Sequence, residues 1–245
     1  MTRQDQQAVV VGASRGLGLG IAEALAARRY EVIAVARDEN ALAEVTAATG
    51  ARAIVADATE AGAPARILGA CTPSLLVIVA GAPPVLRPIQ LQSWESFSHN
   101  WNVDTKIAFE WVKAVLLRPP RPDTHVVVVS SGAALQGSPL SGGYAGAKRA
   151  QWFLAEYAMK EARRAGLGVR FHCLLPSLNP STELGRQAIA AYADREGIPA
   201  AHYAARFAPA LTPSIMGDAV VDLHERPEAF SDVAYRVAGA GLQAL

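Results

Sequence analysis

The sequence is short of charge of one sign, of cysteine and of long apolar runs. Its 23 Lys and Arg stand against 22 Asp and Glu, a formal net charge of +1. A protein that coats nucleic acid carries a marked basic excess, so that class is excluded. The two cysteines, Cys71 and Cys173, are too few for a disulfide framework and too far apart for a zinc site. They read as buried thiols in a reducing compartment. His99, His125, His172, His202 and His224 show no H-x-H or H-E-x-x-H spacing, so no metal is expected. No run reaches the ~18 uninterrupted apolar residues of a membrane span. The polar start from Met1 to Gln7 lacks the long apolar stretch of a signal peptide. The expectation is a soluble, cytoplasmic chain with neither a nucleic-acid nor a membrane partner.

What is present is apolar material in a regular alternation. With 51% hydrophobic and 18% charged residues over 245 positions, disorder is excluded and one large core is available. Short β-rich runs end at Val9–Val11 and recur at 31–36, 52–56, 74–80, 125–130, 169–175 and 233–237. Between them lie segments of helical period at 17–29, 39–48, 63–70, 93–117, 143–165 and 213–223. The runs SLLVIVA and HVVVVS show no polar alternation, as expected of strands covered on both faces. This pattern predicts an α/β fold: a doubly wound parallel sheet in a three-layer αβα sandwich, one domain over residues 1–245. Ligands of such sheets bind beyond the carboxyl ends of the strands, at the topological switch point.

The loop after the first strand carries Gly12, Gly16 and Gly18, with Ser14, Arg15 and Leu17 between them. Glycines let the backbone turn tightly and approach a ligand, and the helix that follows aims free N–H groups at an anion. At this position the pattern predicts a dinucleotide site. An acidic residue at the end of the second strand would bond the ribose hydroxyls of NAD. Here Arg37 stands there instead. Arg37 and Arg15 flanking a 2′-phosphate would favour NADP(H) over NAD(H). As solvated surface residues they would favour neither.

Tyr144 and Lys148 lie four residues apart at the start of a helix, so they share a face. A phenol of pKa ~10 exchanges protons poorly near neutrality, and lowering it by about three units takes ~4 kcal/mol. One ammonium about 4 Å away supplies ~4 kcal/mol at an effective dielectric near 20. Tyr144 can then serve as general acid or base on a carbonyl or alcohol oxygen, with Ser131 orienting that oxygen.

Together these residues resemble the short-chain dehydrogenase/reductase family, in its compact single-domain branch with a Rossmann fold. The resemblance spans nearly the whole chain and rests on Gly12-x-x-x-Gly16-x-Gly18, Asp57, Asn102, Ser131 and Tyr144-x-x-x-Lys148. It implies a proton relay in which Asn102 holds a water near Lys148, with Lys148 also bonding the nicotinamide ribose. It places Asp57 and Ala58 near the adenine. It implies a homodimer or homotetramer formed through helices that here carry Trp94, Trp101, Trp111, Trp152 and Phe153. These aromatics equally fit a core. The family's Asn-Asn-Ala-Gly is replaced by Val79-Ala80-Gly81-Ala82, and its Pro-Gly by Pro176-Ser177. Ala80, Gly81 and Pro176 would line the cofactor, and Ser181 or Thr182 would bond the carboxamide. Residues 177–212 fall where the family closes a lid over the substrate; their aromatics, Tyr192, Tyr203 and Phe207, alternatively pack helices together.

The resulting expectation is an NADP(H)-dependent oxidoreductase. It would pass a hydride between nicotinamide and a small-molecule ketone, aldehyde or secondary alcohol, as a carbonyl reductase/alcohol dehydrogenase. Two other readings use the same residues: a non-catalytic NADP(H)-binding regulator, and a lyase or epimerase without net redox change. Cofactor consumption separates the three.

Overall fold

Consecutive valine, isoleucine and leucine residues build strands buried on both faces. The computed structural model describes residues 6–245; residues 1–5 of the polar lead-in lie outside them. The strands are β1 (Gln7–Val11), β2 (Glu31–Ala36), β3 (Arg52–Val55), β4 (Leu75–Ile78), β5 (His125–Val129), β6 (Arg170–Pro176), β7 (Ala234–Ala238) and β8 (Gly241–Ala244). They form one sheet in the order β3-β2-β1-β4-β5-β6-β7-β8. Strands β1 to β7 pair in parallel, and β8 returns antiparallel to β7. The strand order reverses between β1 and β4, which makes the carboxyl ends of these two strands the switch point of a Rossmann fold.

The helices are α1 (Gly16–Ala27), α2 (Glu39–Thr49), α3 (Ala63–Gly69), α4 (Trp94–Asn100), α5 (Lys106–Leu117), α6 (Ala133–Gln136), α7 (Gly142–Arg164), α8 (Glu183–Glu196), α9 (Ala200–Ala205) and α10 (Pro213–Glu225). Alternate strand residues divide between two cores, as the pleat requires. Val9, Ile33, Leu76, Val126 and Phe171 meet α3, α5 and α7 through Ile67, Trp111 and Met159. Val10, Ala34, Leu75, Val127 and Leu174 meet α1, α2 and α10 through Ile21, Leu42 and Val220. Trp111 is fully buried and donates Nε1–H to the Ala58 carbonyl at 3.2 Å. It thereby ties α5 to the loop after β3. Both cysteines are buried free thiols, and no described helix is long and apolar enough to cross a membrane.

Three local features differ from the sequence expectation. The single helix expected over 93–117 is α4 and α5 joined by one π-helical turn, Trp101–Thr105. It begins on a capping box, with Ser93 Oγ accepting from Ser96 N and Ser96 Oγ accepting from Ser93 N. The glycine-rich loop before Tyr144 contains the short α6. The chain also continues past the strand expected at 233–237 into β8, a half-exposed strand too polar and short to show a period.

At the amino ends of the strands, opposite the switch point, three histidines bond in a chain. His125 Nε2 meets His172 Nδ1 at 2.6 Å, and His125 Nδ1 meets His224 Nδ1 at 3.4 Å. His224 Nε2 lies 3.5 Å from Ser74 Oγ, and the Tyr30 ring packs against His224 edge-on. Among the described residues no group of three or more His, Cys, Asp or Glu is arranged to hold a metal ion. Burial, followed by its charged neighbours, holds His125 well below its usual range. Burial likewise brings His172 and His224 each to about 4. Because the folded values lie below the unfolded value of ~6.5, the unfolded chain binds more protons in between. Stability is therefore full above about pH 6.5 and falls as pH drops toward 4. Thermal unfolding midpoints measured from pH 7 to 4.5 should fall with proton uptake on unfolding, and His224→Gln should flatten that slope. A midpoint independent of pH in this window would contradict the assignment.

Candidate functional site

The loop between β1 and α1 is shaped by two glycines with positive φ, Gly12 at 98° and Gly16 at 57°. A Cβ on Gly12 would sit 2.6 Å from the Ala80 backbone nitrogen, so only glycine lets the end of β1 pass this close to the end of β4. Gly12 N–H and Ala13 N–H both donate to the Val35 carbonyl. The first turn of α1 beyond them has no side-chain cap and no acidic residue. Its N–H groups and the positive end of the helix dipole are thus open to an anion. This cradle fits the phosphates of a dinucleotide.

Around the cradle, Ser14 is half-buried and Arg15 and Arg37 are exposed. Arg15 lies 3.7 Å from Glu183, with both side chains largely in solvent, a pairing of little strength. Asp38, the first carboxylate after β2, is occupied. Its Oδ1 accepts from Ala41 N and caps α2. Asp57 Oδ1 accepts from Thr59 N and Thr59 Oγ1, each at 2.8 Å, and these bonds hold its carboxyl below the usual range. Ala58 is buried beside it.

On the far side of the switch point, Ser130 Oγ donates to the Lys148 carbonyl at 2.7 Å and locks α7 to the end of β5. Ser131, next in the chain, is half-buried; its Oγ accepts from Ala133 N at 3.2 Å, and its hydroxyl is among the groups that act on the Tyr144 phenol. Tyr144 stands in the first turn of α7, and Lys148 one turn on, with Nζ 5.4 Å from the Tyr144 ring centre. Lys148 is 5% exposed. Its ammonium donates to Gln151 Oε1 at 3.0 Å, approaches the Val129 carbonyl at 3.5 Å, and lies 3.0 Å from Asp104 Oδ1.

Asn102 is not brought to this group. It lies on the exposed side of the π-helical turn, bonds Ser98 Oγ at 3.5 Å, and lines a surface groove with Trp101, Phe109, Phe153 and Tyr157. Asp104 stands against Lys148 instead, fully buried. Two residues apart in a helix point to nearly opposite sides, so a shift of two positions exchanges core for solvent. Asn100 and Asp104, four apart and both buried, continue the apolar stripe of Ile107, Trp111 and Val115. Two polar residues on a core stripe were the available signal for Asp104.

The charge on Lys148 is therefore shared. Burial pushes the Tyr144 phenol up, the Lys148 ammonium and the Ser131 hydroxyl pull it down, and Asp104 and Tyr192 push it up again. The net is a phenol above its ordinary value, contrary to the lowering expected from Lys148 alone. Burial works against the Lys148 ammonium, but Asp104 and Tyr144 outweigh it and hold the amine above its usual value.

After β6, the Pro176 carbonyl accepts from Gly132 N, and Ser177 N donates to the Val237 carbonyl. Ser177 does not adopt a positive φ, so replacing the glycine here stores no strain. The Ser181 hydroxyl donates to Asn179 Oδ1, and the Thr182 hydroxyl donates to the Asn179 carbonyl and caps α8. Thr182 Cγ2 lies 3.7 Å from where a Cβ of Gly16 would stand, placing the start of α8 beside the phosphate cradle. Asn179 is 4% exposed, and its Nδ2 has no partner; this free donor was missed in the sequence. Tyr192 on α8 hydrogen-bonds the hydroxyls of Ser138 and Ser141 and stacks on Tyr203 at 5.7 Å. The aromatics of 177–212 thus join that segment to the loop that leads into Tyr144.

A family comparison matches residues 6–192 to the short chain dehydrogenases. Among solved structures, an NAD+-bound xylitol dehydrogenase has 18% identity and a TM-score of 0.85 over 98% of this chain and 100% of its own. A variant of actinorhodin polyketide ketoreductase with NADPH has 21% identity and a TM-score of 0.85 over 98% of both chains. Levodione reductase has 18% identity and a TM-score of 0.83 over 97% of both. No curated protein matches the sequence. The matched span is most of the chain and includes the glycine turn, Ser131, Tyr144 and Lys148. The chain therefore belongs to the short chain dehydrogenase family, oxidoreductases built on a nicotinamide-binding Rossmann fold.

Proposed function

We propose that this chain is an NADP(H)-dependent carbonyl reductase/alcohol dehydrogenase acting on a small ketone, aldehyde or secondary alcohol. One observation carries the reading: Ser131, Tyr144 and Lys148 gather at the end of β5, beside a phosphate cradle at the switch point. When bound, the dinucleotide supplies or takes up the hydride. The chain's own residues do the rest. Ser131 orients the substrate oxygen, Tyr144 Oη gives or receives the proton, and Lys148 holds positive charge behind the phenol. Gly12, Gly16, Gly18, Ser14 and Leu17 cradle the phosphates. Ala80, Gly81, Asp57 and Ala58 form the wall beyond β3 and β4. Ser181 and Thr182, with the free Asn179 Nδ2, face the nicotinamide side. Residues 177–212 form the lid over the substrate.

The cofactor choice rests on this chain's residues, because one structural relative holds NAD+ and another NADPH. Asp38 is committed to capping α2, which leaves Arg37 and Arg15 as the charged groups beside a ribose 2′-position. Trp94, Trp101, Phe109, Phe153 and Tyr157 are each at least 40% exposed on the α4–α5 and α7 face. A second copy of the chain covering them, as a homodimer or homotetramer, would remove that apolar area from water. The two free buried thiols fit a reducing compartment, the cytoplasm.

Tyr144→Phe should bind NADPH, seen by fluorescence titration, while losing at least about 100-fold in turnover across a panel of ketones and aldehydes. Full activity in that variant would remove the mechanism. Arg37→Asp should weaken NADPH binding about tenfold or more and NADH binding much less. Equal losses for both cofactors would remove the phosphate assignment.

A further inference from the structure

The Lys148 ammonium meets three acceptors of the protein itself. Asp104 Oδ1 lies 3.0 Å from Nζ, Gln151 Oε1 3.0 Å and the Val129 carbonyl 3.5 Å. Asp104 is in turn fixed from several directions. Its Oδ2 accepts from Asn100 Nδ2 at 2.9 Å and from Ala82 N at 3.3 Å, and its backbone carbonyl accepts from Gln151 Nε2 at 2.9 Å. Asn100 Nδ2 also donates to the Ala82 carbonyl. A Cβ on Gly81 would stand 2.2 Å from Asp104 Oδ1, so Gly81 is the residue that leaves room for this carboxylate. Beyond Lys148, Oδ1 has no hydrogen-bond donor. A carboxylate with one oxygen held by two donors and the other aimed at one buried ammonium is a built charge pair.

We propose that Asp104 is a positioning residue whose carboxylate neutralises Lys148, setting the site to give a proton from Tyr144 at neutral pH rather than to accept one. The proposal rests on reading Tyr144 as the acid/base group. It predicts the favoured direction, carbonyl reduction. In that step the carbonyl carbon gains a hydride from the reduced dinucleotide, which is thereby oxidised. The carbonyl oxygen gains the Tyr144 Oη proton, and the phenolate left behind is reprotonated from solvent. Alcohol oxidation needs the phenolate at the outset and so needs alkaline pH. The groups that face Tyr144 from the surrounding elements are Lys148 on its own helix, Asp104 on the π-helical turn, Tyr192 on α8 and the Ser131 hydroxyl at the end of β5. Lys148 is faced in addition by Cys173 on β6. Only Lys148 among these is cationic, and Asp104 is the anion in contact with it.

The test is a spectroscopic titration of the cofactor-free protein, with Tyr144 isolated as the difference in phenolate absorbance between each protein and its Tyr144→Phe counterpart. Asp104→Asn should lower the Tyr144 midpoint by about one pH unit or more. Gln151→Glu, which adds a second carboxylate beside Nζ and leaves Asp104 in place, should raise it. An unchanged midpoint in folded Asp104→Asn, with folding checked by thermal unfolding, overturns the proposal. If that variant does not fold, Gln151→Glu decides alone: an upward shift supports the proposal and no shift overturns it. The pH profile of kcat/KM for alcohol oxidation should move in the same direction as the phenolate in each variant. A phenolate shift in a protein that transfers no hydride upholds the charge pairing and removes the reductase reading instead.

Discussion

The contact between Asp104 and Lys148 organises the crevice at the carboxyl ends of β4 and β5. Burying two charges is costly unless each is met by an opposite charge and by hydrogen bonds, and this pair has both. Meeting that requirement draws in Asn100, the Ala82 amide, Gln151 and the space above Gly81. The π-helical turn places Asp104 on the inner side of a helix whose outer side carries Asn102 and the exposed aromatics. The loop after β4, the helix pair α4–α5 and α7 are thus held to one another by the groups that surround Tyr144.

The sheet gives that arrangement its location. Parallel strands buried on both faces end together, and the order reverses between β1 and β4. The glycine turn and the Tyr144–Lys148 helix therefore face the same crevice although they are far apart in sequence. The opposite ends of the strands hold the chain of His125, His172 and His224. Burial lowers the basicity of those histidines and raises the Tyr144 phenol above its ordinary value, so the shifted groups lie at opposite ends of the sheet.

The sheet and its helices were legible because doubly buried strands such as LLVI and HVVVV leave runs that no surface segment shows. The glycine turn was legible for a related reason: positive φ and close approach both exclude side chains, so the residue type reports the backbone. Tyr144 and Lys148 were visible through helical spacing. The partner of Lys148 was harder to read: Asn100 and Asp104 continue the buried stripe of Ile107, Trp111 and Val115, but as polar residues they do not count toward an apolar face. The resemblance implied Asn102 for the proton relay, and the structure turns it to solvent. The Tyr144 environment was not legible from helical spacing, because the compensating charge of Asp104 comes from another segment of the chain. Asn179 was not legible either: its free Nδ2 is a consequence of how the turn into α8 uses its other atoms.

The central claim is that this crevice couples hydride transfer to carbon with proton transfer to oxygen. It is tested most directly by following the label from NADPH carrying deuterium at the transferable C4 position, using mass spectrometry of the alcohols formed from a ketone and aldehyde panel. One deuterium is expected on the carbinol carbon of a product, with none lost to water. NADPH that binds but leaves every alcohol free of deuterium, or a conversion that proceeds without consuming it, would contradict the account.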